Sequence, residues 1–380
     1  MNRVAVIGGG INGAGIAWEL ARKGYEVALF DKGQFGAQTS SATTKMIHGG
    51  LRYLERLHFG LVREALHERA WLLRNAPDLV KPIEILLPIY RDSPRSRFEI
   101  RIGLLLYDVL AGRQNIHRHR SLSAAEILDR APLVKEGLVG GFSYWDAQVD
   151  DGRLVRSVVD AAVRDGVVAR ENTRITRLRA DGNQWIVTAA SGETSRFDVV
   201  VNAVGPWMNE LLETNDLRER YRLSLVRGSH LVLRHRVSDF GALLQSHTDH
   251  RVFFVLPWKG TTLVGTTEVV QKGSPDDVQP SDEEVDYLIT RFNRYFREKI
   301  DRSAIASAFA GVRPLVGNAI DPTAMGREYR VIRRGNLINV FGGKMTTFMA
   351  LARRVSMRVD NYFGHTRRAK EPVFATMIRE

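Results

Sequence analysis

The chain has 380 residues, enough for roughly two or three domains with cores of their own. It holds no cysteine, so disulfides, thiolate nucleophiles and cysteine-bound zinc or iron–sulfur clusters are excluded. Lys and Arg outnumber Asp and Glu by 55 to 43, a formal charge of +12 that suits an anionic small molecule, an anionic lipid surface or nucleic acid.

The last of these is not expected, because no helix-turn-helix spacing, zinc-finger spacing or basic–aromatic pattern occurs. The first residues enter an apolar strand without a signal-peptide core, and no run of 18 apolar residues follows. A cytoplasmic address with no membrane span is therefore the expectation.

In chain order, residues 4–7 form a short apolar run suited to a buried parallel strand. Residues 8–13 then read Gly-Gly-Gly-Ile-Asn-Gly, followed by a helical stretch, a second strand at 26–30 and a terminal acid, Asp31. Gly8 permits a tight turn, Gly10 lets backbone approach a pyrophosphate, and Gly13 allows close helix–strand packing. Phosphates sit at the helix N-terminus, where free N–H groups and the dipole favour negative charge. Asp31 can accept from both ribose hydroxyls, which disfavours a 2′-phosphate. The motif leaves FAD and NAD both open.

Further along, residues 91–120 carry seven arginines against Asp92, Glu99 and Asp108, around the apolar run 102–111. Such a segment can lie in the headgroup plane of an anionic membrane. Residues 197–201 are a strand running into Gly205. Residues 223–237, 252–257 and 261–270 are β-rich, with a hairpin turn at 258–260. Ser281 and Glu284 form a capping box that opens a helix carrying Val285, Leu288, Ile289, Phe292 and Phe296. Residues 336–341 are a last strand, leading into Gly342, Gly343, Lys344, Met345 and Thr346 and a helix. A Gly-rich strand-to-helix turn this late can bring backbone N–H groups to a flavin ring.

Residues 39–55 read Thr-Ser-Ser-Ala-Thr-Thr-Lys-Met-Ile-His-Gly-Gly-Leu-Arg-Tyr-Leu-Glu. This resembles the signature of the FAD-dependent glycerol-3-phosphate dehydrogenases, within the D-amino-acid-oxidase-like flavoproteins. Residues 149–155, 227–230, 265–268, 311–315 and 340–347 resemble the same family, in its order. The resemblance implies a doubly wound, Rossmann-like α/β FAD domain with an inserted antiparallel substrate domain. The expected boundaries are 1–85, 146–215 and 335–380 for the first, and 86–145 and 216–334 for the second. The helical C-terminal domain usual in that family is not among these residues.

The implied chemistry is oxidation of a small phosphorylated alcohol, with electrons passed to a quinone or another acceptor. The alternative is another anionic 2-hydroxy acid, such as 2-hydroxyglutarate. By motif, Arg52, Arg313 and Arg327 grip the substrate anion, since guanidinium offers paired donors in a fixed fork. Tyr53 lines the substrate pocket. His230 is the candidate base, with imidazole titrating near neutral pH. Lys344 places positive charge at the flavin edge. Ser40, Ser41, Thr43 and Thr44 are expected on the pyrophosphate or ring. Lys45, His48, Gly49, Gly205, Gly343, Met345 and Thr346 complete the expected cofactor contacts.

Overall fold

A computed structural model describes residues 2–317 and 328–374. Its nucleotide-binding part is a six-stranded sheet in the order Arg330–Arg334, Leu337–Phe341, Val199–Asn202, Arg3–Ile7, Glu26–Phe30, Val168–Arg170. Every pairing is parallel except that of the edge strand Arg330–Arg334. Parallel strands covered on both faces read as continuous apolar runs, and Val4, Ala5, Val6, Val199, Val200 and Val201 are all fully buried. Helices Ile11–Arg22, Asp151–Arg164 and Phe348–Phe363 cover one face, sharing a core that includes Trp18, Val158 and Phe348. Each such side chain contributes about 1.5–3 kcal/mol on burial. The Trp18 indole N–H, buried with its ring, donates to Asp165 at 2.8 Å. A three-stranded antiparallel sheet, residues 175–197, covers the other face.

The second part is a ten-stranded, mostly antiparallel sheet. Strands Val80–Tyr90 and Leu138–Val149 pair along their length, as do Leu223–Leu233 and Ile305–Val316. Along Val80–Tyr90, residues 83, 85, 87 and 89 enter one core and Leu86 and Tyr90 the other. That strand is thus buried on both faces, which hides the usual alternation. Helix Asp282–Tyr295 packs one face through Leu288 and Phe292. Helices Phe59–Asn75 and Arg97–Ala111 pack the other through Leu66, Ile100 and Leu104.

The doubly wound domain with an inserted antiparallel sheet is the expected architecture. The expected boundaries, however, cut through Val80–Tyr90 and Leu138–Val149, and Met46–Ile47 also joins the large sheet. The hairpin between Val252–Trp258 and Thr261–Gly265 turns on Lys259 and Gly260, both with positive φ. The Ser281–Glu284 capping box is formed. Helix Arg97–Ala111 buries Ile100, Leu104, Tyr107 and Ala111. Its other face exposes Phe98 (72%), Ile102, Leu105, Leu106 and Val109 (74%). No helix among the described residues is long and apolar enough to cross a membrane.

Candidate active site

One cavity of about 530 Å³ runs from the Gly8–Gly10 turn to the large sheet. At the turn, Gly8 has φ +102° and its N–H donates to Phe30 O at 2.7 Å. A Cβ on Gly13 would lie 1.7 Å from Gly8 O, so helix Ile11–Arg22 packs against the turn only because that atom is missing. On Gly10 a Cβ would meet Ser40 Oγ alone, at 3.0 Å, and the rest of its surroundings is open cavity. The Ser40 hydroxyl accepts from the Ile11 amide at 3.0 Å. The Asp31 carboxylate accepts from the Gly9 and Gly33 amides at 2.7 and 2.9 Å. Burial pushes its carboxyl up, against those two bonds. Each oxygen keeps a lone pair for a ribose hydroxyl.

Gly343 has φ +113°, and a Cβ there would lie 2.3 Å from the Asn12 amide nitrogen. Its bare backbone lets the starts of helices Ile11–Arg22 and Phe348–Phe363 converge on the cavity. Asn12 Oδ1 is buried there without a protein partner among the described residues. An open glycine cradle, two helix N-termini and an orphaned acceptor fit a dinucleotide. Gly205, Met345 and Thr346 line the same cavity.

At the far end, His230 is 1% exposed and lines the cavity. Its two cross-strand neighbours explain its placement. Phe309 stacks on the ring at 4.9 Å, and Gly265 leaves room for it, since a Cβ there would meet Cδ2 at 2.2 Å. Nε2 lies 3.0 Å from Thr44 Oγ1, and Nδ1 has no protein partner among the described residues. Burial, then the Arg313 and Lys45 charges, holds this imidazole well below its ordinary pKa, so it is neutral. Arg313 reaches the cavity from Ile305–Val316. Its Nη2 donates to Thr266 Oγ1 at 2.9 Å, and its Nη1 lies 3.4 Å from Glu268 Oε1. Gly228 has no side chain to obstruct it. The Lys344 ammonium sits 3.8 Å above the Tyr53 ring, which in turn covers Gly50. Arg52 and His48 line the same wall, and the His48 amide donates to Thr346 at 3.2 Å.

Three expected contacts, Lys45, Ser41 and Gly49, are turned away from the cavity. The Lys45 ammonium is paired with Asp151 at 2.7 Å and with Ser41 O at 2.6 Å, locking the 41–45 turn to helix Asp151–Arg164. Thr43 Oγ1 likewise donates to Asp151, at 2.8 Å, though Thr43 still lines the cavity. The Ser41 hydroxyl donates to Gln38 O at 3.1 Å, and Ser41 lies outside the cavity wall. The Gly49 amide donates to Tyr107 Oη at 2.7 Å, behind that wall. Arg327 lies outside the described residues.

Sequence reasoning missed Thr266, Glu268 and Asn12 as site residues, and a buried group behind the 48–50 turn. In that group Asp146 takes Arg69 at 2.6 Å and Tyr107 at 2.8 Å. Thr266 and Glu268 stood inside a recognised motif, but only their register beside Arg313 shows their use.

A family model described as FAD dependent oxidoreductase matches residues 3–358. The chain is 39% identical to the D-erythritol 1-phosphate dehydrogenase of Brucella abortus (strain 2308), over 94% of this chain and 73% of that one. It is 37% identical to the aerobic glycerol-3-phosphate dehydrogenase of Escherichia coli (strain K12), with the same coverage. Among solved structures, the glycerol-3-phosphate dehydrogenase from Bacillus halodurans complexed with FAD superposes with a TM-score of 0.76 at 26% identity. That match covers 97% of this chain and 66% of that one. The L-alpha-glycerophosphate oxidase of Mycoplasma pneumoniae shares the fold, with a TM-score of 0.77 at 17% identity and 97% of both chains covered. With a cradle that fits FAD and a family match over nearly its whole length, this chain belongs to the FAD dependent oxidoreductases, in the glycerol-3-phosphate dehydrogenase family.

Proposed function

We propose that the protein oxidises sn-glycerol 3-phosphate to dihydroxyacetone phosphate. The observation that carries this reading is the convergence of Arg313, His230 and Lys344 on the cavity that begins at Gly10. Bound FAD supplies the acceptor for the hydride that leaves the carbinol carbon. Arg313 and Arg52 bind the phosphate and so fix that carbon; Arg327 is a third candidate. Neutral His230 accepts the hydroxyl proton as the ketone forms. Lys344 places a positive charge where negative charge accumulates, with Tyr53 holding its ammonium. Asp31, Ser40, Thr43, Thr44, His48, Gly205 and the 343–346 turn hold the cofactor.

The relative named for D-erythritol 1-phosphate motivates a second substrate, a longer polyol phosphate. A 2-hydroxy acid would also suit arginines, but the named relatives favour a phosphate ester. Anaerobic mixing of the holoprotein with each compound tests all three. Glycerol 3-phosphate should bleach the flavin absorbance fastest. A flavin that stays oxidised with it, yet bleaches with another of the three, reassigns the substrate.

Arg313→Lys should raise the KM for glycerol 3-phosphate by about 10- to 100-fold. That is the size of losing one charge-assisted bond worth about 1.5–3 kcal/mol. Steady-state kinetics check it, and an unchanged kcat/KM would remove Arg313 from the site.

The reading extends to peripheral attachment at an anionic membrane through helix Arg97–Ala111, with a quinone as electron acceptor. The exposed apolar face of that helix supports it, as do the exposed Arg91, Arg97, Arg101, Arg113, Arg118 and Arg120 around it. Co-sedimentation with anionic vesicles should be strong at low salt and weaken as salt screens the arginines. Leu105→Glu with Leu106→Glu should release a protein that keeps its FAD, because both side chains are already exposed. Wild type that ignores vesicles at every salt concentration points to a soluble acceptor.

A further inference from the structure

Among the described residues, three capping boxes of the same design open helices, with Glu99, Glu126 and Glu284 as the reciprocal carboxylates. Glu99 and Glu126 are exposed, as a cap requires nothing more. Glu284 is 4% exposed. Burying a carboxylate is costly unless donors replace its water. Here they do. One Glu284 oxygen accepts from Ser229 Oγ at 2.9 Å and Thr267 Oγ1 at 2.5 Å. The other accepts from the Ser281 amide at 3.1 Å and faces Arg227 at 2.7 Å. Burial pushes the carboxyl up, but these hydrogen bonds and the Arg227 charge outweigh it and keep Glu284 ionised.

The donors lie next to the catalytic groups. Ser229 immediately precedes His230, and its amide donates to Thr267 Oγ1 at 2.9 Å. Thr267 stands between Thr266 and Glu268, both of which contact the Arg313 guanidinium. A single buried carboxylate therefore clamps the strand that carries His230 to the segment that orients Arg313. We infer that Glu284 is a positioning residue, acting through Thr267 and Ser229 to hold the Arg313 fork in line with the substrate anion. The inference rests on reading Arg313 as the anion grip.

The cap and the clamp separate by mutation. Ser281→Ala breaks the cap but leaves Thr267 and Ser229 on Glu284. It should lower Tm and leave KM within about twofold. Glu284→Ala should raise the glycerol 3-phosphate KM by about tenfold or more, with FAD retained and kcat falling less. Glu284→Gln keeps an acceptor and should recover most of that loss. Thr267→Val, near-isosteric, should reproduce the KM effect, and it decides the matter should Glu284→Ala fail to fold. Hydrogen exchange followed by mass spectrometry gives a readout free of substrate. Peptides over residues 227–231 and 265–269 should exchange faster in Glu284→Ala and Thr267→Val but not in Ser281→Ala. A KM unchanged in both clamp variants, with exchange at those peptides as in wild type, overturns the inference. Wild type that does not turn over glycerol 3-phosphate sinks the substrate reading alone. The exchange comparison then decides the clamp by itself.

Discussion

Gly10→Val should give a folded, colourless protein. The backbone at Gly10 is extended, with φ −70° and ψ −180°, a conformation that valine adopts without strain. A Cβ there meets only Ser40 Oγ, so the fold tolerates the side chain. Its methyl groups, however, would stand in the open cradle at the N-terminus of helix Ile11–Arg22, where the pyrophosphate must lie against bare backbone. Flavin absorbance in the purified variant should be absent, and added FAD should not restore it. Thermal stability should fall to that of wild-type apoprotein, because a ligand present at about 1,000 times its Kd contributes about 4 kcal/mol to the folded state. Gly13→Ala should fail differently, since its Cβ collides with Gly8 O inside the packed turn. That variant should not fold. A yellow Gly10→Val protein with normal FAD content would mean that the pyrophosphate lies elsewhere.

Much of this was legible because it is local. The Gly8–Gly13 turn, its strand and helix, the Lys259–Gly260 hairpin and the Ser281–Glu284 cap all follow from spacing within a few residues. The missing parts depend on register between distant strands. Val226 pairs with Arg313, and Gly265 and Phe309 both pair with His230, across separations that no periodicity reports. Lys45 is the instructive miss. A lysine inside a cofactor signature looks like a cofactor contact, yet Asp151, far along the chain, claims its ammonium. Glu284 errs the other way: its cap was legible, but its burial against Ser229 and Thr267 exists only once the sheet has formed. The exposed face of helix Arg97–Ala111 was half legible. The apolar run among arginines marked a segment that can lie against a surface, but not which residues the fold covers: Ile100, Leu104, Tyr107 and Ala111 face the core and leave the others exposed.

His230→Ala should lower kcat and kcat/KM together by on the order of 10²–10⁴ while retaining FAD. The ring is a neutral, buried base that lines the same cavity as Arg313, and in the proposed reaction its loss removes the acceptor for the hydroxyl proton. The pH dependence carries a sign that distinguishes it from an exposed histidine. Burial and the neighbouring Arg313 and Lys45 charges keep the folded imidazole unprotonated below its ordinary value. The acid limb of kcat/KM should therefore lie below about pH 6.5. The same shift makes acid destabilising. Below about pH 6.5 the unfolded chain binds a proton that the folded chain refuses, so stability falls by up to about 1.4 kcal/mol per pH unit until the folded imidazole itself titrates. His230→Phe, which keeps a ring against Phe309, should remove that part of the acid sensitivity. Arg313→Met should move the acid limb of any residual activity upward, because one of the two cations that hold the imidazole neutral is gone. Rates and unfolding free energies measured across pH 4.5–8 with wild type and all three variants separate these effects. A His230→Ala enzyme that turns over at the wild-type rate assigns the proton to solvent or another group, and leaves His230 as a residue that packs against Phe309 and Thr44.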